Sequence, residues 1–185
     1  MSIVAVEDHL ISKTKAMFGG YLNKVQVLPN ALNLGVLKTM LPAAPAVYFA
    51  FLGGSAGEGD ARINGRFDAY VITRHVGNDE ARRRGDSTTI GAYDIIQGLI
   101  PELHGSTVDG VGTLQFKSVS NLFSIQLEET FKAAFYALSF ELPNMPFPDV
   151  VDDTLENFIT YHAEHSMTEG DKEPLAIDEL TLPQE

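Results

Sequence analysis

RFDAYVITRHVGNDEARRRGDSTTIGAYDIIQGLIPEL, residues Arg66 to Leu103, sets an alternating strand, a charged bend and an amphipathic helix in one continuous run. Phe67, Ala69, Val71 and Thr73 fall on one side of an extended chain, while Tyr70, Ile72 and Arg74 fall on the other. That period of two predicts a half-buried strand. From Ile90 the period lengthens. Ile90, Tyr93, Ile96, Leu99, Ile100 and Leu103 recur at helical spacing and predict a helix whose one apolar stripe lies on a sheet. Between strand and helix stands the hinge Asp79-Glu80-Ala81-Arg82-Arg83-Arg84-Gly85-Asp86, with no nucleophile or metal-ligand set beside it. Such a hinge points to contact with another protein rather than to chemistry.

Outward from this block, Ile3, Val6, Leu10, Ile11, Thr14 and Met17 predict an opening helix that stops at Gly19-Gly20. Lys24 to Leu28 alternates as a short strand, and Asn30 to Met40 reads as a loop or a short helix. The apolar run Ala46 to Leu52 is too short for a globular helix and rich in aromatics, so it predicts a central strand. Residues 53–60 then read as a flexible turn. Asn64-Gly65 reads as a tight reversal into the strand at Arg66, making a hairpin with a long loop. Downstream, 105–112 is loop, and Thr113 to Val119, Phe123 to Leu127 and Phe131 to Leu142 are strand candidates. The last of these places Tyr136, Leu138, Phe140 and Leu142 on one face. Pro143, Pro146 and Pro148 are expected to end the sheet. Beyond them, Leu155 to His162 forms one more short element, and Thr168 to Glu185 reads as a mobile acidic end. The sum is an α+β fold: a mostly antiparallel sheet with helices packed on one face.

The formal charge of −12 is unevenly spread. Residues 141–185 hold 12 Asp/Glu against Lys172, a net of −11, whereas residues 1–140 hold 13 acids and 12 bases, a net of −1. A neutral body with scattered cations argues against sequence-specific nucleic-acid binding. The chain has no cysteine, which removes disulfides, thiol catalysis and cysteine-ligated metal sites. The N-terminal residues do not read as a signal peptide, and no window approaches the ~18 apolar residues of a membrane span.

Three motifs call for chemistry and fail on context. Gly53-Gly54-Ser55-Ala56-Gly57 fits G-x-S-x-G after an apolar strand, which would make Ser55 a hydrolase nucleophile. The glycines and turn dipeptide that follow would break the helix such an elbow requires. The same glycines lack the G-K-[ST] of a P-loop and the spacing for dinucleotide binding. His162-Ala163-Glu164-His165 spaces two imidazoles three apart, which on a helix would share one face, but it does not match H-E-x-x-H. His9, His75 and His104 have no sequence partner suggesting general-base work. No catalytic residue, cofactor or metal site is expected.

The order F-D-x-Y-V-x-T-R, then N-x-E-A-R-R-R-G, then G-A-Y-D-I-I, resembles the tail-terminator (tail-completion) proteins of long-tailed bacteriophages, in the branch carried by Mu-like contractile-tailed phages and prophages. The specific part spans about 40 of the 185 residues. The resemblance implies a small α/β fold that assembles as a hexameric ring, a virion part that caps the head-proximal end of the tail tube and offers a surface to the neck. It divides the chain into a ring-forming domain, 1–142, and an acidic, proline-interrupted extension, 143–185. Expected partners are further copies of the chain, the tube protein, sheath and neck or head-completion protein, with DNA passing through the lumen and no membrane involved. Arg74, Asp79, Glu80, Arg82, Arg83 and Arg84 become candidate subunit or tube contacts. Two readings of the arginines stay open. They form solvated ion pairs within the hinge, worth at most ~1 kcal/mol each, or they meet carboxylates of a neighbouring subunit, where a desolvated bidentate pair contributes ~2 kcal/mol or more. Other readings are a head–tail adaptor, a tube subunit, or a small serine hydrolase using Ser55.

Overall fold

The computed structural model describes residues 2–29, 32–75, 79–86, 88–122, 131–147, 160–165 and 176–181. The chain divides into two units, Met1–Pro148 and Asp149–Glu185.

In the first unit the opening helix α1 spans Ser2–Phe18 and buries Val6, Leu10, Thr14 and Phe18. The predicted stripe is one position off at its end: Phe18 turns inward, and Met17 is left 44% exposed. A 3-10 turn, Gly19–Tyr21, leads into strand β1, Lys24–Val27. The ambiguous stretch after it resolves as helix α2, Leu34–Met40, because Asn33 caps it: its side chain accepts 3.0 Å from the Val36 amide. A second 3-10 turn, Leu41–Ala43, brings the chain to β2, Ala46–Ala56, and then β3, Arg62–Arg74. Helix α3, Asp79–Arg84, occupies the expected hinge, and α4 covers Ala92–Leu103. The expected loop at 105–112 contains a small ladder of β4, Thr107–Val108, with β5, Gly112–Thr113. The main sheet is completed by β6, Gln115–Asn121, and β7, Ala133–Pro146; the candidate strand Phe123 to Leu127 lies outside the described residues.

The five-stranded sheet runs β1-β2-β3-β7-β6, antiparallel except for the parallel pair β1–β2. Helices α1 and α4 pack antiparallel on one face, joined by Lys13–Glu102 at 3.1 Å and by His9 to the Ser106 hydroxyl at 3.1 Å. Between them and the sheet lie Phe49, Phe67, Ala69, Val71, Leu138, Phe140 and Leu142. Phe49, Phe67 and Phe140 are each fully enclosed, and such burial contributes roughly 1.5–3 kcal/mol per side chain. Tyr136, Leu138, Phe140 and Leu142 share this face, as the alternation in β7 predicts.

Four details differ from the sequence reading. Strand β3 is covered on both faces, because α2 and the turn after it bury Tyr70 and Ile72 with Leu37, Met40 and Leu41. Residues 53–56 belong to β2, bulged between Phe51 and Gly54, and Asn64-Gly65 lies inside β3. The reversal is the five-residue loop 57–61, closed by Gly57 N–H donating 2.9 Å to the Arg62 carbonyl. Asn64 instead ties strands together, donating 3.1 Å to the Ala56 carbonyl and accepting 3.0 Å from the Asn144 amide. Strand β7 continues through Pro143 to Pro146, and its register slips between Ile63 and Gly65. A proline is tolerated at such a bulge, where a ladder hydrogen bond is already missing. In α4 the buried stripe is Ala92, Ile95, Leu99 and Leu103, and Tyr93 is 38% exposed. The apolar arc of this helix is broad enough to settle in more than one rotation, and packing against α1 selects one.

In the second unit β8, Thr160–His165, pairs antiparallel with β9, Ala176–Thr181. His162 and His165 therefore lie on a strand, so the helical spacing that made them candidate ligands does not apply. The expected mobile acidic end includes β9, whose main chain is satisfied by pairing with β8 rather than by water.

Candidate interface at the corner of the sheet

The candidate contact residues cluster where β3 hands over to α3 and α4. Thr73, 1% exposed, ends the inward-facing row of β3, and its hydroxyl donates 2.6 Å to the carbonyl of Arg82. Arg82 is 9% exposed and donates from Nε, 3.2 Å, to the His75 carbonyl. This guanidinium ties the helix to the strand it follows, which removes it from the freely exposed set. Arg74, Glu80 and Arg84 are exposed, and Arg83 is half-buried. Arg84 and Glu80 form a 3.2 Å pair one helical turn apart, with both side chains about two-thirds in solvent or more; such a pair contributes ~0.3–0.5 kcal/mol. That is the within-hinge reading for one arginine, and it leaves the pair available to a neighbour.

The loop from α3 to α4 is fixed by Asp86. Its Oδ1 accepts from the Thr88 amide, the Thr88 hydroxyl and the Thr89 amide, each at 2.8 Å, and its Oδ2 lies 3.0 Å from His75 Nε2. These donors, the Thr88 amide foremost, hold the Asp86 carboxyl down at about 2. Gly91 permits the corner to close. A Cβ there would overlap the Gly85 amide nitrogen and the Arg84 carbonyl carbon. The latch of Thr73, His75, Asp86, Thr88 and Thr89 was not singled out by sequence reasoning. Its signal was the aspartate followed by hydroxyl residues, the composition of a side-chain-to-backbone turn.

No hydrolase site forms around Ser55. The residue is exposed on β2 opposite Asn64, the chain turns into β3 where an elbow needs a helix, and no imidazole lines the depression beside it. The three histidines with described side chains are engaged elsewhere: His9 with Ser106, His75 with Asp86, and His104 Nδ1 accepting from the Phe116 amide. Among the described residues no acid, histidine or cysteine group is arranged to hold a metal, and no helix is long and apolar enough to cross a membrane. The corner is therefore built to project a rigid charged surface from the sheet's end.

Residues 2–145 match the family described as "Bacteriophage Mu, Gp37". Across 98% of this chain and 89% of the relative, the sequence is 29% identical to the "Mu-like prophage FluMu protein gp37" of Haemophilus influenzae. It is 23% identical to the "Probable tail terminator protein" of Escherichia phage Mu, over 82% of this chain and 80% of that one. A chain from the virion of a native gene transfer agent particle superimposes with a TM-score of 0.47 and 15% identity, covering 77% of this chain and 96% of the other.

Proposed function

Because this chain belongs to the Bacteriophage Mu Gp37 family, we propose that it is a tail terminator: a structural virion protein, not an enzyme, that caps the head-proximal end of a contractile tail tube as a closed, six-membered ring. One observation carries the reading. The family match, residues 2–145, coincides with the compact first unit, Met1–Pro148, so the whole sheet-and-helix body is the shared part. The Escherichia phage Mu relative named as a probable tail terminator aligns over most of the chain.

The mechanism is steric. One rim of the ring resembles the next layer of tube closely enough to dock, and the other rim lacks the docking surface, so tube growth stops and the neck or head-completion protein is received there. A closed ring of identical copies needs one patch complementary to a different patch on the same subunit. Arg74, Asp79, Glu80, Arg83 and Arg84, at the corner, are the charged surface assigned to neighbouring subunits or the tube. DNA passes through the lumen ungripped, since the first 140 residues carry a net charge of only −1. Assembly takes place in the host cytoplasm.

Negative-stain images of the full chain, alone and with tail tubes, test this. Closed rings, seated at one end of tubes that no longer elongate, are the expected result. Long cylinders from the protein alone would identify a tube subunit instead, and a lone monomer that leaves tube growth unchanged would end the proposal.

A further inference from the structure

The main sheet has two unlike edges, β1 and β6, and a single row of residues crosses from one to the other. Val27 pairs with Phe49, Phe49 with Ala69, Ala69 with Leu138, and Leu138 with Val119. The three middle members are buried under α1 and α4. The two outer members are valines, on the same face and the same row, and both are exposed: Val27 by 37% and Val119 by 46%. Exposed β-branched side chains at opposite ends of one buried row are what a sheet leaves when it is meant to continue.

The neighbouring rows agree. Gln26 and Ser120 close the row through Tyr48, Tyr70 and Ala137, and Val25 and Asn121 close the row through Val47, Val71 and Tyr136. Brought edge to edge without stagger, β1 and β6 set valine on valine on the helix-bearing face and amide on hydroxyl on the other. No acid lies in either strand, and their lysines, Lys24 and Lys117, sit at opposite ends of the paired stretch. Strand directions fit as well. β1 runs parallel to β2, and three antiparallel steps from β2 to β6 reverse the direction, so β6 meets the next copy's β1 antiparallel.

The remaining free margin, where β2 outruns β1, is closed to this use. The Glu7 carboxylate accepts from the Phe51 amide, and the Asn64 side chain takes the Ala56 carbonyl. Among the described residues the outer edges of β1 and β6 carry no further strand.

We propose that β6 of one copy pairs antiparallel with β1 of the next, Val119 opposite Val27 and Ser120 opposite Gln26, so that the sheet continues from subunit to subunit. The occupant of each edge is a second copy of this chain. The contact is heterologous, as ring closure requires, because the two edges are different surfaces of the same molecule. Backbone pairing along an edge supplies affinity, and the side-chain match supplies the register.

This inference rests on the ring reading, and its test separates the two. Full-length Val119→Asp and Val27→Lys are compared with the double variant V119D/V27K by circular dichroism and by light scattering after size exclusion. Each single variant is expected to keep its fold and lose the ring, and the double variant, which pairs opposite charges across the edge, is expected to regain it. Because the chain lacks cysteine, Gln26→Cys/Ser120→Cys joined by a short bis-maleimide should give a ladder of covalent oligomers ending at the ring size. Intact rings in both single variants, with no ladder, would overturn the edge pairing and leave the ring in place. Cross-linked dimers from Ser120→Cys alone would mean like-to-like pairing and would also overturn it. A wild-type chain that never forms rings would overturn both.

Discussion

The hydroxyl of Thr73 at the end of β3 and the main-chain oxygen of Arg82 in α3 are joined by a 2.6 Å hydrogen bond sealed from water. It fixes the exit of the strand to the helix that carries the candidate contacts. Thr73→Val keeps the shape and removes the donor, leaving a buried carbonyl without that partner. The expected loss is ~1–3 kcal/mol of unfolding free energy, read from urea denaturation. Thr73→Ser, which restores the hydroxyl, should recover most of it. An unchanged midpoint in Thr73→Val would show that the bond does not hold the corner.

Gly91 is a sharper case, because its neighbours are backbone atoms that cannot swing aside. A methyl group at this position meets the Gly85 nitrogen, the Arg84 carbon and, at 2.6 Å, the Arg83 oxygen. Gly91→Ala should therefore cost about 3 kcal/mol or more, with the α3–α4 corner moving before the sheet does. Hydrogen exchange resolves this: protection should fall around residues 82–91 more than in β3 or β7. Uniform protection would mean that the corner has room the geometry denies it.

Much of this architecture was legible because hydrophobic period is a local signal. The alternation in Arg66–Arg74 and in Phe131–Leu142, and the helical spacing in α1, each identified an element and a core face. What was not legible depends on contacts between distant residues. Asn64-Gly65 has turn composition, yet Asn64 bonds Ala56 and Asn144 across two strands, and that network holds the pair inside β3. The prolines after Leu142 look like stops, but a bulge opposite Ile63–Gly65 absorbs them. The second cover on β3 comes from α2, whose apolar residues are too few to announce which face they fill. At the candidate site, sequence located the charged cluster but could not separate Arg82, turned into the corner, from Arg84, turned out.

The Asp86 latch gives the corner an acid limit. Its carboxyl sits at about 2, below the ordinary 3.8, through the amides and hydroxyl of Thr88 and Thr89 with His75 adding to them. A carboxyl whose folded value lies below its unfolded value favours the folded state above pH 3.8 and gives up that contribution as pH falls toward 2. The loop at 86–91 should hold down to about pH 4 and loosen between there and pH 2. The side-chain carbonyl carbon of Asp86 in an NMR titration should show a midpoint near 2, with the Thr88 and Thr89 amides shifting in step. A midpoint at the ordinary carboxylate value would mean that the turn does not persist in solution.

The division of the chain predicts what its acidic third can lose. Residues 149–185 hold 11 of the 25 acids and one of the 13 bases, a net of −10, so removing them takes the chain from −12 to −2. Both buried clusters of the sheet lie wholly before residue 146, and so does the family match. The truncated protein should fold with its thermal midpoint within a few degrees of the full chain, while eluting far earlier from an anion exchanger. Its solubility should fall near neutral pH, since a net charge close to zero removes the repulsion that keeps unassembled copies apart. Light scattering against concentration, for the full chain and the truncation, measures that difference directly. If both behave alike and only docking to tails is lost, the acidic segment is a binding element for a basic surface of sheath or neck rather than a solubilising one.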